Sequence, residues 1–343
     1  MRAMRIYAPG VLEPAYTGLR LDTLLLPDPK PGEVLIRVSH CGACHTEIDE
    51  IEGRAIPTNL PMIPGHQAVG TVAALGNGCP EDLLGKTVGV AWIYSSCGDC
   101  RFCQAGLENL CLQFKATGLD KPGGYAEFMT APSAFIHEVP HGLSNRNVAP
   151  LLCAGAVGFR ALKLCTLRNG ESLGLTGFGA SAHLVLQIAR HLYPRSGIFV
   201  FARDAGDREF ALELGAQWAG DTRDTPPQAL DAIIDTTPAW LPIVSALAAL
   251  APNGRLVVNA IRKESADQEE LEQLDYARHL WREKSIKSVA NVTRQDVRSM
   301  LELAARLNLK PKTRTYPLEQ AMNALLDIKS GAIEGAAVLE MGL

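Results

Sequence analysis

The chain has 343 residues, 47% hydrophobic and 20% charged, which excludes intrinsic disorder and gives enough apolar sequence for sizeable cores; the length suggests two domains. Thirty-three basic residues stand against 37 acidic ones, a net charge of −4, so the basic excess of a nucleic-acid binder is missing. No apolar run approaches the ~20 residues of a membrane span, and the first ten residues lack the apolar stretch of a signal peptide. The expectation is a cytoplasmic chain with neither nucleic-acid nor membrane partners.

In chain order, residues 34–38, 70–74 and 87–90 read as short strands between turns, and Pro27, Pro29 and Pro31 punctuate the entry to the first. The first ~150 residues are expected to be all-β and irregular, with long loops carrying the polar motifs. Near Cys153 the pattern changes. Strands at 171–176, 197–202, 230–236, 254–261 and 285–290 alternate with helices at 181–193, 207–214 and 239–250. Repeated strand–helix units imply an α/β class with a doubly wound parallel sheet. The tail reads as helices at 295–307 and 318–330 and a closing strand at 335–341.

Nine cysteines are unevenly spread: Cys41, Cys44, Cys79, Cys97, Cys100, Cys103, Cys111, Cys153 and Cys165. In a reducing compartment, clustered cysteines read as metal ligands before disulfides. The sharpest motif is Cys97-x2-Cys100-x2-Cys103-x7-Cys111. Two-residue gaps let thiolates converge on one ion, and the fourth closes an all-sulfur tetrahedral shell that suits zinc. A closed shell has no room for substrate, so the site is structural. An iron–sulfur cluster also uses four cysteines, but typically with other gaps.

Gly177-Phe178-Gly179-Ala180-Ser181-Ala182 matches the dinucleotide fingerprint and lies between a strand and an apolar helix, the context that gives it meaning. Gly177 permits the tight turn, Gly179 lets a pyrophosphate approach, and Ala182 allows close helix–sheet packing. The acid that would read the NAD ribose is missing at Ala202-Arg203. A small residue followed by Arg203 would accept a 2′-phosphate, which favours NADP, although Asp204 lies one residue further on.

Three further segments carry chemistry: His40 to Asp49, Pro64-Gly65-His66-Gln67, and Leu152-Cys153-Ala154-Gly155. One His and two Cys make a three-ligand zinc with an open fourth position, the catalytic pattern, but spacing alone does not join these pieces. With the cysteine knuckle and the fingerprint, in this order, they resemble the zinc-dependent alcohol dehydrogenases of the medium-chain dehydrogenase/reductase family over essentially the whole chain. The likeness is greatest to a bacterial branch that includes propanol-preferring enzymes.

The resemblance implies a GroES-like β domain from 1–153 and 292–343 and a Rossmann domain from 154–291. It implies two zinc ions per chain, the catalytic one on Cys44, His66 and Cys153 rather than Cys41. Thr46 matches the hydroxyl that takes the substrate proton, His45 a pyrophosphate contact, and Trp92 an aromatic residue lining the alcohol pocket. The implied reaction moves a hydride between a small alcohol or aldehyde and NAD(P), in a homo-oligomer, a dimer or tetramer. A polyol or amino-alcohol dehydrogenase of the same superfamily is the alternative, and a non-catalytic zinc- and nucleotide-binding regulator a more distant one. Three positions depart from the family. Glu47 stands where an Asp usually orients the ligand His, Gln67 replaces a Glu beside His66, and Asp49 replaces the His that often ends the proton relay.

Overall fold

The computed structural model describes residues 1–342 and divides into two compact units, Met1–Ala156 joined by the segment from Val292 onward, and Val157–Asn291. In the first, β1 (Arg2–Ile6) pairs with β2 (Leu19–Thr23), and β3 (Glu33–Ala43) leads into a short helix, α1 (His45–Ile51). There follow β4 (Ala68–Leu75), β5 (Thr87–Val90), β6 (Ile93–Ser95), α2 (Arg101–Gln104), β7 (Lys115–Ala116), β8 (Phe128–Pro132), β9 (Ile136–Glu138) and α3 (Asn145–Pro150). The long strand β3 pairs antiparallel with β4, giving Ile36, Val38 and Val72 to a core shared with Ile6, Ile51 and Tyr125. This part is β-dominated but not purely so, because α1 and α3 carry the loops that flank the candidate ligands.

The second unit opens within α4 (Ala156–Leu164) and continues with β10 (Leu173–Thr176), α5 (Ala182–Leu192), β11 (Ile198–Phe201), α6 (Ala205–Glu213), β12 (Trp218–Gly220), β13 (Leu230–Asp235), α7 (Leu241–Ala249), β14 (Leu250–Val258) and β15 (Ser285–Ser288). All pairings are parallel, in the order β12-β11-β10-β13-β14-β15. The doubly wound sheet expected from the strand–helix alternation is therefore present. Its first two strands are buried at every residue, as a sheet covered on both faces requires. Strand order reverses at β10, where open α/β sheets bind ligands.

The chain then returns to the first unit through α8 (Arg294–Leu307), β16 (Thr313–Pro317), α9 (Ala321–Lys329) and β17 (Ala336–Glu340). A capping box between Thr293 and Asp296 starts α8, and Asn308 in the left-handed region ends it. β17 pairs antiparallel with β3, so the last strand extends the sheet that leads into α1.

Residues 145–164 run as continuous helix, long and apolar enough by length and composition to cross a membrane, but 61% of its apolar window is buried inside the fold, as in a core helix.

Candidate functional site

The turn after β3 places Cys44 as the N-cap of α1. Its Sγ accepts the Thr46 N–H at 3.4 Å, and Glu47 reaches back to accept the Cys44 N–H at 2.8 Å. A helix start therefore fixes Cys44 and Glu47 together. His66 follows Gly65, which has φ +96; a Cβ on Gly65 would come within 2.3 Å of the Tyr125 ring. Only glycine allows that turn and that approach. Cys153 lies on a π-helical stretch, Leu151–Gly155, between α3 and α4, a distortion frequent at functional sites.

These three segments meet. The donor atoms of Cys44, His66 and Cys153 all lie within 4.8 Å of one another, with Cys44 Sγ 3.8 Å from His66 Nε2. Hydrogen bonding to Cys153, burial and the Glu47 charge hold the Cys44 thiol well above its ordinary pKa. A divalent cation among the three donors would reverse that, stabilising both thiolates. Two sulfurs and one imidazole suit zinc and leave a coordination position open. Cys41, wholly buried beneath Gly65, is not part of the group.

The other predicted residues fall around this cluster. Glu47 Oε1 lies 2.7 Å from His66 Nδ1, both fully buried, although the pair is not aligned as an ideal hydrogen bond. Burial alone would lower the His66 pKa, but the Glu47 and Cys44 charges raise it well above its ordinary value. Thr46 is buried in the first turn of α1, and His45 is exposed beside it. Asp49 is held by the Arg54 guanidinium at 2.7 Å, so it is not a free proton acceptor. Gln67 is buried against Gly42, its Nε2 without a hydrogen-bond partner among the described residues. Trp92 is buried and meets His66 edge-on, ring centroids 4.8 Å apart.

Sequence reasoning missed Glu50 and Tyr125. Glu50 is wholly buried on the face of α1 that also carries Glu47, and neither of its oxygens has a hydrogen-bond partner among the described residues. Burial and the neighbouring Glu47 push it well above the carboxylate range. Two glutamates three apart on a helix were the available signal.

The knuckle closes as its spacing suggests. The thiols of Cys97, Cys100, Cys103 and Cys111 all lie within 4.8 Å of one another, with Cys97 3.8 Å from Cys103 and 3.5 Å from Cys111. Hydrogen bonds from backbone N–H groups at Cys103 pull Cys100 down to about 7, which favours the thiolate a metal needs.

In the second unit, Gly177 turns the chain from β10 towards α5 with φ +76, and a Cβ there would meet Thr236 and Thr237 at 2.9 Å. A Cβ on Gly179 would meet nothing within 4 Å, so the side from which a phosphate would approach is open. Ser181 makes no side-chain cap on α5, and the His183 N–H in its first turn bonds to the Gly179 carbonyl at 3.2 Å. Ala180 lies in the same turn, and Ala182 is fully buried, as close helix–sheet packing requires. At the end of β11, Ala202 is buried and Arg203 exposed. Asp204 is engaged as the N-cap of α6, accepting from Gly206 and Asp207. Arg208 was not anticipated. It donates to the carbonyls of Ala202 and Arg203, which brings a second guanidinium to this loop.

The sequence profile described as "Alcohol dehydrogenase GroES-like domain" matches residues 30–141. The chain is 41% identical to "Probable alcohol dehydrogenase AdhA" of Mycobacterium tuberculosis over 99% of this chain and 97% of that protein. It is 32% identical to an alcohol dehydrogenase of Geobacillus stearothermophilus over 94% of this chain and 96% of the relative. A structure titled as a CAD from Helicobacter pylori complexed with NADP(H) superposes with a TM-score of 0.86. It covers 99% of this chain and 97% of its own, and at 22% identity it shows the fold alone.

Proposed function

From the premise that the chain belongs to the zinc-type medium-chain alcohol dehydrogenases, we propose that it interconverts small alcohols and their aldehydes or ketones with NAD(P). The observation that carries the reading is the convergence of Cys44, His66 and Cys153 from three distant segments onto one point. Zinc would be held there and NAD(P) along the fingerprint loop, the first supplying Lewis acidity and the second accepting or donating hydride. A second zinc would be held by the four-cysteine knuckle.

The chain's own residues then have defined tasks. Glu47 fixes the His66 imidazole so that Nε2 faces the thiols. The Thr46 hydroxyl takes the alcohol proton and gives it back in the reverse direction. Because Asp49 is tied to Arg54, the proton leaves Thr46 towards solvent rather than through that carboxylate. Trp92 offers an apolar edge beside His66, which favours simple alcohols over polyols or amino alcohols.

Arg203 and Arg208 support a preference for NADP, since two guanidiniums suit a 2′-phosphate and Asp204 is occupied as a cap. An oligomer, a dimer or tetramer, is supported by β15. This strand ends its sheet with all four residues exposed, and Tyr276, Trp281 and Ile286 nearby are exposed apolar side chains. Nine free cysteines suit a reducing cytoplasm. The test is metal analysis with a substrate panel: two zinc ions per chain and turnover of primary or secondary alcohols are expected. A zinc-loaded protein inactive on every alcohol with both cofactors would overturn the reading.

A further inference from the structure

Beneath the fingerprint loop lies a buried ionic cluster that neither the motif nor the zinc chemistry uses. Lys263, on the loop after β14, sends its ammonium under the carboxyl ends of the strands with its side chain only 11% exposed. It donates to Asp235 Oδ2 at 2.5 Å, to the Thr237 carbonyl at 2.8 Å and to the Ala239 carbonyl at 2.9 Å. Asp235 closes β13 and is wholly inaccessible; its Oδ1 accepts the Thr176 hydroxyl at 2.5 Å and the Thr237 hydroxyl at 2.8 Å. Thr176 closes β10, immediately before Gly177. Asn259 extends the tie. Its N–H donates to the Asp235 carbonyl at 2.6 Å, and its side-chain amide donates to Ser181 Oγ within the fingerprint. One lysine and one asparagine therefore fasten the ends of β10, β13 and β14 to one another.

The position of this cluster relative to a dinucleotide follows from the strand order. The pyrophosphate belongs at the β10–α5 turn, and the adenosine ribose at the end of β11, on one side of β10. The other half of the dinucleotide must lie across the reversal, over the ends of β13 and β14. Those are the segments Lys263 holds. We propose that Lys263, with Asp235, is a positioning residue for the nicotinamide half of the cofactor, clamping segments 235–239 and 259–263 into the surface that receives it. The inference rests on the nicotinamide reading above. Lys263 does not touch the cofactor, since all three of its donors are already engaged; it acts through the backbone it pins.

A merely structural ion pair would behave differently in a double variant. Lys263→Met alone strands a buried carboxylate and is expected to lower Tm sharply. Lys263→Met with Asp235→Asn removes both charges and keeps the acceptor for Thr176, so folding should recover. If the pair positions the cofactor, the double variant still binds NADH and NADPH roughly 10- to 100-fold more weakly by nucleotide fluorescence. KM for the cofactor rises accordingly while KM for the alcohol holds. Lys263→Arg, which keeps the charge but cannot reproduce the three-acceptor fit of an ammonium, should fold and show the same selective weakening. Recovery of both Tm and wild-type nucleotide affinity in the double variant would overturn the proposal and leave the pair as a stabilising feature only. Wild-type protein that binds neither nucleotide would instead overturn the cofactor reading, and the clamp with it.

Discussion

Replacing Glu47 by Gln tests the metal centre through the carboxylate that lies against the ligand His66. Glu47 Oε1 and His66 Nδ1 are 2.7 Å apart, with side chains 0% and 1% exposed, so water cannot substitute for the lost partner. Gln retains an oxygen for the Cys44 N–H, and the cap of α1 should survive. Its amide nitrogen would instead face Nδ1, a donor against a donor. The imidazole would then shift its proton to Nε2, the nitrogen that must be bare to bind metal. Removing a carboxylate that faces and orients a metal-ligating histidine costs roughly 10- to 100-fold in metal affinity. Chelator competition on purified protein reads that loss directly, and the urea midpoint of the metal-free protein should move little. Zinc affinity unchanged within threefold would refute the claim that Glu47 orients the ligand.

Four other outcomes are expected. Cys153→Ser should stay folded, lose turnover and retain about one zinc per chain, by elemental analysis, in the knuckle. Cys103→Ser should lose the knuckle ion and lower Tm, with the remaining zinc still at the Cys44 site. Removing Arg203 and Arg208 together should raise KM for NADPH at least tenfold while leaving KM for NADH within about threefold, checked by steady-state kinetics. Glu52 gives a pH signature. Burial alone would raise its pKa, but hydrogen bonds from Lys329, Arg54 and the Leu12 amide hold it down to about 2. A lowered carboxylate pKa stabilises the fold above the unfolded value and is lost as pH falls towards 2. Glu52→Gln should therefore be less stable than wild type by about 1 kcal/mol at pH 7, after allowance for solvent screening. The gap should close as pH falls from about 4.5 towards 2 in urea titrations; a gap independent of pH would show that the charge is not the cause.

Local pattern carried much of this protein. The Cys97–Cys111 knuckle and the Gly177–Ala182 turn were legible because each is a contiguous segment whose spacing dictates its geometry. The parallel sheet was legible because buried strands read as short apolar runs between amphipathic helices. Edges moved by a few residues where capping decides them, as where Asp204 starts α6 two residues early. Glu50 left only the weak signal of two glutamates three apart, because a glutamate on a charged helix reads as solvated until the partner surface is known. Arg208 and Lys263 escaped for the same reason: each is a surface-type residue whose cation is drawn to backbone carbonyls by the way strand ends converge. The sequence by itself determined the reaction class through the resemblance its ordered motifs carry to the zinc-dependent alcohol dehydrogenases. Tertiary structure alone decided that Cys44, His66 and Cys153, separated by up to 109 positions along the chain, lie within 4.8 Å. It also decided that Asp49 is spent on Arg54, because which polar atoms meet in a core depends on packing between segments, and no local spacing encodes that.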